Sequence, residues 1–258
     1  MRAERGKPLP LGITISKDHV NFSIAVPEGK TCELLLYQPG ETRPSLRYEM
    51  KDSVGEVHFL ALYGLDPGMY EYNYLIGDEV VTDPYARVLA GRDVWGKQRD
   101  VKKHEVRGIL RQEDYDWEGD RPLHLPYHKV VSYSLHVRGF TKHSSSGVKY
   151  KGTFAGVIEK LPYLKDLGIN QIHCMPVYEF EECGRCRNYW GYGPAYFFAP
   201  KSAYAACHDG RKELKDMIKS CHKTGIEVVL EMPFTQETPG QMIEIGRASC
   251  RERVSRVV

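Results

Sequence analysis

The first third of the chain alternates between apolar and polar residues with the period of a β-strand. In HVNFSIAV (residues 19–26), Val20, Phe22, Ile24 and Val26 fall on one face, which is typical of a half-buried strand. Further strands are predicted at CELLLYQ, EVHFLALY and MYEYNYLIG, and the turn sequences PEGK, QPGE and LDPGM separate them. Short strands at this spacing predict a β-sandwich of about a hundred residues.

Three tyrosines share one face of the predicted strand MYEYNYLIG. They are Tyr70, Tyr72 and Tyr74, at alternate positions. We expect their rings to pack in the core or against neighbouring strands, in preference to forming a platform on which a sugar stacks.

A connection without hydrophobic period follows, rich in Pro, Gly and Asp (TDPYARVLAGRDVWG and YDWEGDRPLHLP). We place a domain boundary in it, near residue 125. After it, KVVSYSLHVRGF (residues 129–140) is predicted as a strand. GTFAGVIEKLPYLKDLG has apolar residues at helical spacing, with Thr153 as N-cap and Gly168 as the stop.

The rest of the chain continues this alternation. INQIHCMPVYEF predicts a second strand followed by a long loop, RKELKDMIKSCHKTG a helix that ends at Gly225, and IEVVLEMPF a third strand. Strands and helices in alternation, with continuous apolar strands, predict parallel βα units. A dinucleotide-binding fold is not indicated, because no G-x-G-x-x-G turn follows the first strand. In a β/α barrel, functional residues lie where strands end, here at 138–141, 176–190 and 231–236.

Composition and charge narrow the class of protein. Apolar residues make up 41% and charged residues 27%, as in ordinary globular chains. No stretch has the ~20 apolar residues of a membrane span, and MRAERGKPLPLG lacks the apolar core of a signal peptide. We therefore expect a cytoplasmic protein without a membrane partner. The net charge of +2 comes without a basic stripe, so no nucleic-acid partner is predicted.

The seven cysteines have irregular spacing and are predicted to be reduced thiols. Cys183 and Cys186 form CGRC, which suggests a redox dithiol or half of a zinc site. Because no second C-x-x-C accompanies it, we interpret the pair as two loop thiols.

Three stretches, YSLHVRGFT, INQIHCMPVYEF and NYWGYGPAYFFAPKSAYA, occur in this order and resemble the α-amylase clan of glycoside hydrolases. The match is to its debranching enzymes of the isoamylase, glycogen-debranching and pullulanase type. The N-terminal half resembles the carbohydrate-binding-type module that precedes their barrel, with DPYAR at its exit. The resemblance implies an all-β early-set (immunoglobulin-like) sandwich, followed by the first three βα units of an incomplete (β/α)8 TIM barrel.

The resemblance also implies an activity, the retaining hydrolysis of α-1,6 branch points, and α-glucan partners (glycogen, starch, pullulan). Such hydrolysis uses two carboxyl groups about 5–5.5 Å apart. In the family these carboxyl groups come from the fourth and fifth strands, with a further Asp from the seventh, whereas three barrel strands are predicted here. We therefore assign no catalytic residue and expect the 258-residue chain to be inactive.

No cofactor is predicted; calcium occurs in the family, but the sequence supports no site for it. Two alternatives remain open. One is a glucan-binding module with a non-catalytic barrel remnant, and the other is a branching or amylase-type member of the same clan.

Five residues are candidates for substrate binding by resemblance. Tyr192 in YWGYGP matches the family tyrosine that stacks on the sugar at the cleavage subsite. Trp190 and Asn188 flank it, and we interpret them as shaping the loop. Arg138 lies at the end of the first strand. Gln236, in EMPFTQ, stands where the family pattern D-x-x-x-N-H has its His, and its amide can still donate a hydrogen bond.

Other titratable residues have structural interpretations. We expect His136 to be a buried, hydrogen-bonded histidine. Glu179, Glu181 and Glu182 lie at a strand end and resemble an acid/base pair, but we interpret them as solvated loop carboxylates.

The last segment, EIGRASCRERVSRVV (residues 244–258), has no apolar face and holds four arginines. EIGRASCRERV can be back-translated into a widely used short-read sequencing adapter. We therefore predict a module with linker over residues 1–125, a truncated barrel over 126–244 and a non-native tail over 245–258.

Overall fold

The computed structural model describes residues 1–98, 103–112, 114–183, 188–207 and 209–232. The chain divides into two compact units. The first unit holds residues 1–86 and 103–112, and the second holds residues 87–98 and the described part of 114–232. No helix in this described part is long and apolar enough to cross a membrane.

The described residues form short strands followed by strands and helices in alternation. The strands are β1 (Arg2–Glu4), β2 (Gly12–Ile15), β3 (His19–Ala25), β4 (Cys32–Tyr37), β5 (Leu46–Glu49), β6 (Asp52–Val54), β7 (Val57–Tyr63), β8 (Glu71–Ile76), β9 (Glu79–Val81), β10 (Leu89–Ala90), β11 (Arg107–Ile109), β12 (Ser132–Leu135), β13 (Gln171–Cys174), β14 (Tyr178–Phe180), β15 (Pro194–Pro200) and β16 (Glu227–Leu230). The α-helices are α1 (Val137–Lys142), α2 (Phe154–Glu159), α3 (Leu161–Asp166) and α4 (Gly210–Thr224). Short 3-10 turns span Pro67–Met69, Tyr127–Lys129, Ser144–Ser146 and Ser202–Tyr204.

The first unit consists of two antiparallel sheets. One has the order β1-β7-β3-β2, with β6 also paired to β7. The other contains β11-β8-β4-β5, with β9 also paired to β8. The predicted strands are therefore present and pair in antiparallel fashion.

One hydrophobic core joins the two sheets of this unit. Phe22 of β3 and Tyr72 of β8 have no exposed surface, and their rings meet edge to face with centroids 5.6 Å apart. Tyr74 is also fully buried, and Tyr70 packs against the same cluster. The prediction that the tyrosines pack in the core is confirmed.

The polar face of β3 is buried as well, which its alternation does not predict. Asn21 is 4% and Ser23 0% exposed. Asn21 exchanges hydrogen bonds with the backbone of Lys7, and the Ser23 hydroxyl donates to the Pro8 carbonyl oxygen. The N-terminal segment thus covers this face, and its backbone provides the hydrogen bonds that buried polar groups require.

In the described part of the second unit, three parallel strands form a sheet with the order β12-β13-β16. Helices α2 and α3 connect β12 to β13, and α4 precedes β16. On one face of the sheet, apolar side chains pack into the core with the helices; these are Tyr133, Leu135, Ile172, Cys174, Val228 and Leu230. The predicted parallel βα arrangement is therefore present. Closure into a (β/α)8 barrel and an immunoglobulin-like order of the first unit stay predictions.

The first parallel strand is shorter than predicted. β12 ends at Leu135, and the residues from Val137 form α1 instead of continuing the strand to Phe140. His136 causes the change, because its side chain accepts a hydrogen bond from the Gly139 N–H and caps the helix.

The predicted helix after Thr153 is present in two pieces, α2 and α3. Thr153 caps α2 as predicted, by accepting from the Gly156 N–H. Pro162 lies in the first turn of α3, and the helix divides there because proline has no N–H to donate to the preceding turn. Gly225, at φ +81°, ends α4 in the left-handed region, as predicted.

The predicted long loop after β13 has structure of its own. β14 and β15 pair as an antiparallel hairpin within it. Residues 87–98 and 114–125, which the sequence assigned to the first domain with its linker, group with the second unit instead. The segment 245–258 lies outside the described residues.

Candidate functional site

The candidate site lies at the C-terminal ends of the parallel strands. His136 directly follows β12 and is 6% exposed. Its Nδ1 accepts from the Gly139 N–H at 2.9 Å, so the proton of the neutral ring belongs on Nε2. Nε2 lies 2.9 Å from the Tyr189 carbonyl oxygen and 3.0 Å from the Tyr204 hydroxyl. The prediction of a buried, hydrogen-bonded histidine is confirmed, and burial lowers the pKa of His136.

Asn188 shapes the loop that follows β14. Its Oδ1 accepts from the Gly191 N–H at 3.0 Å, and its Nδ2 donates to the Tyr192 carbonyl oxygen at 2.9 Å. Gly191 has φ +88°, and a Cβ there would meet the Phe180 ring and Pro176. The turn therefore requires glycine at this position.

Two aromatic side chains of this loop are exposed. Trp190 is 53% and Tyr192 39% exposed. The Trp190 ring meets Tyr189 and His136 edge-on, at centroid distances of 5.3 and 5.9 Å. A hydrogen bond with Glu231, which follows β16, raises the pKa of Tyr192. The loop thus presents aromatic surface beside a carboxylate.

Arg138 contacts an aromatic ring that the sequence did not associate with it. Its guanidinium carbon lies 4.7 Å from the centre of the Trp95 ring, and burial lowers the pKa of Arg138. The fifth candidate, Gln236, lies outside the described residues. Substrate binding by the five candidates stays a prediction.

The interpretation of the glutamates after β13 as solvated is wrong for Glu179 and Glu182. Their exposed fractions are 0% and 1%, and that of Lys201 is 0%. The Lys201 Nζ donates to Glu179 at 2.6 Å, to Glu182 at 2.6 Å and to the Phe180 carbonyl oxygen at 2.9 Å. The β14–β15 pairing brings these groups together, because it places the end of β15 against β14.

Arg92 and Glu181 complete this group of charges. The Arg92 Nε lies 3.1 Å from Glu179, and its Nη1 donates to Glu181 at 2.9 Å. Burial alone would lower the pKa of Arg92, but Glu179 and Glu181 outweigh burial and the pKa is raised. We call Arg92, Glu179, Glu181, Glu182 and Lys201 the charge cluster.

Trp95 occupies the centre of an aromatic group beneath the loop. It stacks on Tyr204, with centroids 5.7 Å apart and planes 14° apart. Its edge contacts reach Phe180, Tyr189 and His136, at 5.8, 6.0 and 6.5 Å. Sequence reasoning missed Trp95, Arg92 and Lys201. The available signals were a tryptophan in a polar linker and a lysine in the apolar run FFAPKSAY.

A cavity of about 280 Å³ opens beside the loop. Its lining combines aromatic rings with polar groups from the end of β12 and from the loop: Tyr133, Ser134, His136, Phe140, Tyr189 and Trp190. Among the described residues, no three His, Cys, Asp or Glu side chains are grouped to hold a metal ion. Cys183 is a free thiol, and Cys186 lies outside the described residues.

Comparisons with known proteins agree with this geometry. Residues 129–235 match the family model of the α-amylase catalytic domain. The chloroplastic isoamylase 1 of Oryza sativa subsp. japonica is 33% identical over 276 residues, which cover 93% of this chain and 34% of that protein. The glycogen debranching enzyme of Pectobacterium carotovorum is 29% identical, with coverage of 90% and 39%.

A solved structure shows the same likeness. A pullulanase from Bacillus acidopullulyticus has a TM-score of 0.74 at 26% identity, over 88% of this chain and 30% of that one. The chain spans about a third of the length of the curated relatives it matches. By sequence and by fold, the chain is a relative of the debranching-type glycoside hydrolases of the α-amylase family.

Proposed function

We propose that the chain is the N-terminal part of an α-glucan debranching enzyme, which hydrolyses α-1,6-glucosidic branch points by a retaining mechanism. The observation that carries the proposal is the loop of residues 188–192, whose Trp190 and Tyr192 are exposed at the C-terminal ends of the parallel strands. An aromatic face suits the apolar C–H face of a pyranose. The relatives named isoamylase, glycogen debranching enzyme and pullulanase support an α-glucan as the ligand.

In this proposal glucan contacts two kinds of group, the aromatic side chains of the loop and polar side chains outside it. Trp190 and Tyr192 provide apolar surface, and Glu231 lies near enough to Tyr192 to raise the pKa of its hydroxyl. Arg138 and Gln236 provide hydrogen-bond donors to sugar hydroxyls.

The carboxyl groups that break the bond are not among the glutamates after β13. Glu179 and Glu182 are buried and bound to Lys201, and Glu181 is bound to Arg92, so none of the three is free to protonate a leaving oxygen. The proposal places the nucleophile and the acid on later barrel strands. The 258-residue chain is therefore inactive by itself, and turnover of pullulan in a reducing-sugar assay would contradict this part.

The same proposal covers the organisation of the protein. Residues 1–86 and 103–112 form an immunoglobulin-like, carbohydrate-binding-type module, residues 126–244 the truncated barrel, with which 87–98 and 114–125 group, and residues 245–258 a non-native tail. The protein acts in the cytoplasm on glycogen, starch or pullulan, without a nucleic-acid or membrane partner.

Binding of maltohexaose and glycogen to the purified chain tests the proposal, by calorimetry and by affinity electrophoresis. We expect Trp190→Ala and Tyr192→Ala each to weaken binding roughly three- to tenfold, the equivalent of one lost aromatic contact. Tyr127→Ala is the matched control, because Tyr127 is 94% exposed and lies outside the loop. Equal affinity in all four proteins would refute the role of the loop. If binding persists in Trp190→Ala and Tyr192→Ala but is lost when residues of the first unit are substituted, a glucan-binding module is favoured instead.

A further inference from the structure

The charge cluster joins three segments of the second unit. Arg92 comes from the segment before the site, Glu179 to Glu182 from the end of β14, and Lys201 from the end of β15. Backbone groups reinforce the links, since the Gly96 N–H donates to Glu182 at 3.2 Å and the Ser202 N–H donates to Glu179 at 2.9 Å. The segment 92–96 is therefore attached at both ends.

Stability alone does not explain this arrangement. Removing charges from water costs several kcal/mol per ion, and well-packed apolar residues often replace a buried ion pair without loss of stability. Lys201 has no exposed surface, yet its ammonium makes three hydrogen bonds in directions set by two carboxylates and one carbonyl oxygen. These directional hydrogen bonds restrict the relative positions of the three segments, whereas apolar contacts are not directional.

The residue whose geometry is specified is Trp95. It lies between the two attached positions Arg92 and Gly96, and its ring is 5.5 Å from the Lys201 Nζ. Tyr204 stacks on it at 5.7 Å. The attached backbone together with Lys201, Tyr204 and Arg138, whose guanidinium carbon lies 4.7 Å from the ring centre, therefore restricts the orientation of the Trp95 ring.

The orientation of Trp95 extends to the exposed loop through Tyr189 and His136. Trp95 meets both rings edge-on. His136 stacks on Tyr189 at 4.5 Å, with 16° between the planes, and Trp190 stands perpendicular to Tyr189. Tyr189 and His136, which contact Trp190, thus also contact Trp95.

From these contacts we infer that Trp95, fixed by the charge cluster, is a positioning residue that sets the orientation of Trp190 for glucan binding. Trp95 touches Tyr189 and His136 and acts on the ligand through them. The inference rests on the proposed function and assigns a role in the site to the segment before the barrel.

The first test measures position without any ligand. The chain has three tryptophans, so Trp95→Phe combined with Trp117→Phe leaves Trp190 as the only one. We compare acrylamide quenching of Trp190 in this protein with that in Trp95→Leu combined with Trp117→Phe. A higher quenching constant in the leucine protein is expected, because leucine cannot maintain the aromatic contacts. Equal quenching in the two folded proteins would overturn the inference.

The second test measures maltohexaose affinity in the full chain. Trp95→Leu should weaken binding roughly three- to tenfold, and Trp95→Phe should recover most of the loss. In a chain that also carries Arg138→Ala, which removes the other proposed ligand group in contact with the Trp95 ring, combining Trp95→Leu with Trp190→Ala should weaken binding no further than Trp190→Ala, because both of these changes then act through one ring. Trp117→Leu is the matched control, since Trp117 packs near Tyr115 and Lys215, and it should leave the affinity unchanged.

The outcomes separate the two proposals. A wild-type chain that does not bind maltohexaose defeats the proposed function, while the quenching experiment still decides whether Trp95 positions Trp190. Wild-type binding that depends on Trp190 but not on Trp95 overturns the inference alone. Additive losses from Trp95→Leu and Trp190→Ala in the Arg138→Ala chain also overturn it.

Discussion

Lys201 donates a 2.6 Å hydrogen bond to Glu179, and neither side chain has exposed surface. Replacing Lys201 by methionine preserves much of the volume but removes the ammonium that the buried Glu179 and Glu182 share, so that Arg92 is the cation still beside Glu179. We expect Lys201→Met to lower the free energy of unfolding by about 3–5 kcal/mol, measured by urea denaturation.

The matched control for this change is Lys212→Met. Lys212 also forms a 2.6 Å ion pair, with Asp216 one helical turn away, but its side chain is 59% exposed. Such a pair contributes about 0.3–0.5 kcal/mol. Equal losses in the two variants would show that burial does not set the strength of the Lys201 contacts.

The carboxyl group of Asp83 is buried in the first unit, and burial raises its pKa to about 6 from 3.8. It accepts from the Tyr72 hydroxyl at 2.6 Å and from the Tyr85 N–H at 2.8 Å. Between these two pH values the unfolded chain ionises first, so the free energy of unfolding falls as pH rises. Asp83→Asn keeps an oxygen acceptor for the Tyr85 N–H, can donate from its amide to the Tyr72 hydroxyl oxygen, and has no charge to bury. We expect it to stabilise the chain by up to roughly 3 kcal/mol at pH 7 and to have little effect near pH 4.

Urea denaturation at pH 4 and pH 7 checks this prediction. Asp78→Asn is the control, because Asp78 is exposed on the same unit. An Asp83→Asn protein that is less stable than the wild type at pH 7 would show that the carboxylate is stabilising.

Local periodic signals predicted most of the elements, and contacts between distant residues account for most of the errors. The burial of Phe22 on β3 and the helix end at Gly225 after α4 were predictable. Both depend on residues that are close in sequence, the first on the alternation of the strand and the second on a glycine that can adopt a positive φ. The end of β12 was not, because a histidine N-cap is unusual and depends on the His136 side-chain conformation. The burial of Glu179 depends on Arg92 and Lys201, which no local pattern connects to it. Trp190 and Tyr192 were found through motif resemblance, whereas Trp95 needed the folded structure.

At Gly156 in α2, helix propensity and packing are expected to change the stability of an alanine variant in opposite directions. Helix propensity alone favours alanine over glycine by about 1 kcal/mol. A Cβ at Gly156 would clash with the Tyr150 carbonyl oxygen, which belongs to the backbone and cannot turn away. We therefore expect Gly156→Ala to destabilise the chain by about 1–3 kcal/mol, the usual cost of overpacking.

Thermal and urea denaturation measure this change. Gly68→Ala is the control, because a Cβ at Gly68 would have the flexible Asp66 carboxylate as its neighbour, at 3.4 Å. A stabilised Gly156→Ala protein would show that helix propensity outweighs the contact with Tyr150.

His136 makes the stability of the chain depend on pH. Burial lowers its pKa from 6.5, and its Nδ1 accepts from the Gly139 N–H at the start of α1. A proton on Nδ1 would face that N–H and remove the cap. Because the unfolded chain takes up the proton first as pH falls below 6.5, the free energy of unfolding should decrease in that range and be at its full value above it. His136→Asn keeps an oxygen acceptor for the Gly139 N–H and cannot titrate, so the protein should be less stable at pH 7 but lose less on acidification. Denaturation at pH 5 and pH 7, with His128→Asn as an exposed control, measures the difference. A ring titration by NMR with a pKa above 6.5 would contradict the assignment of a neutral capping histidine.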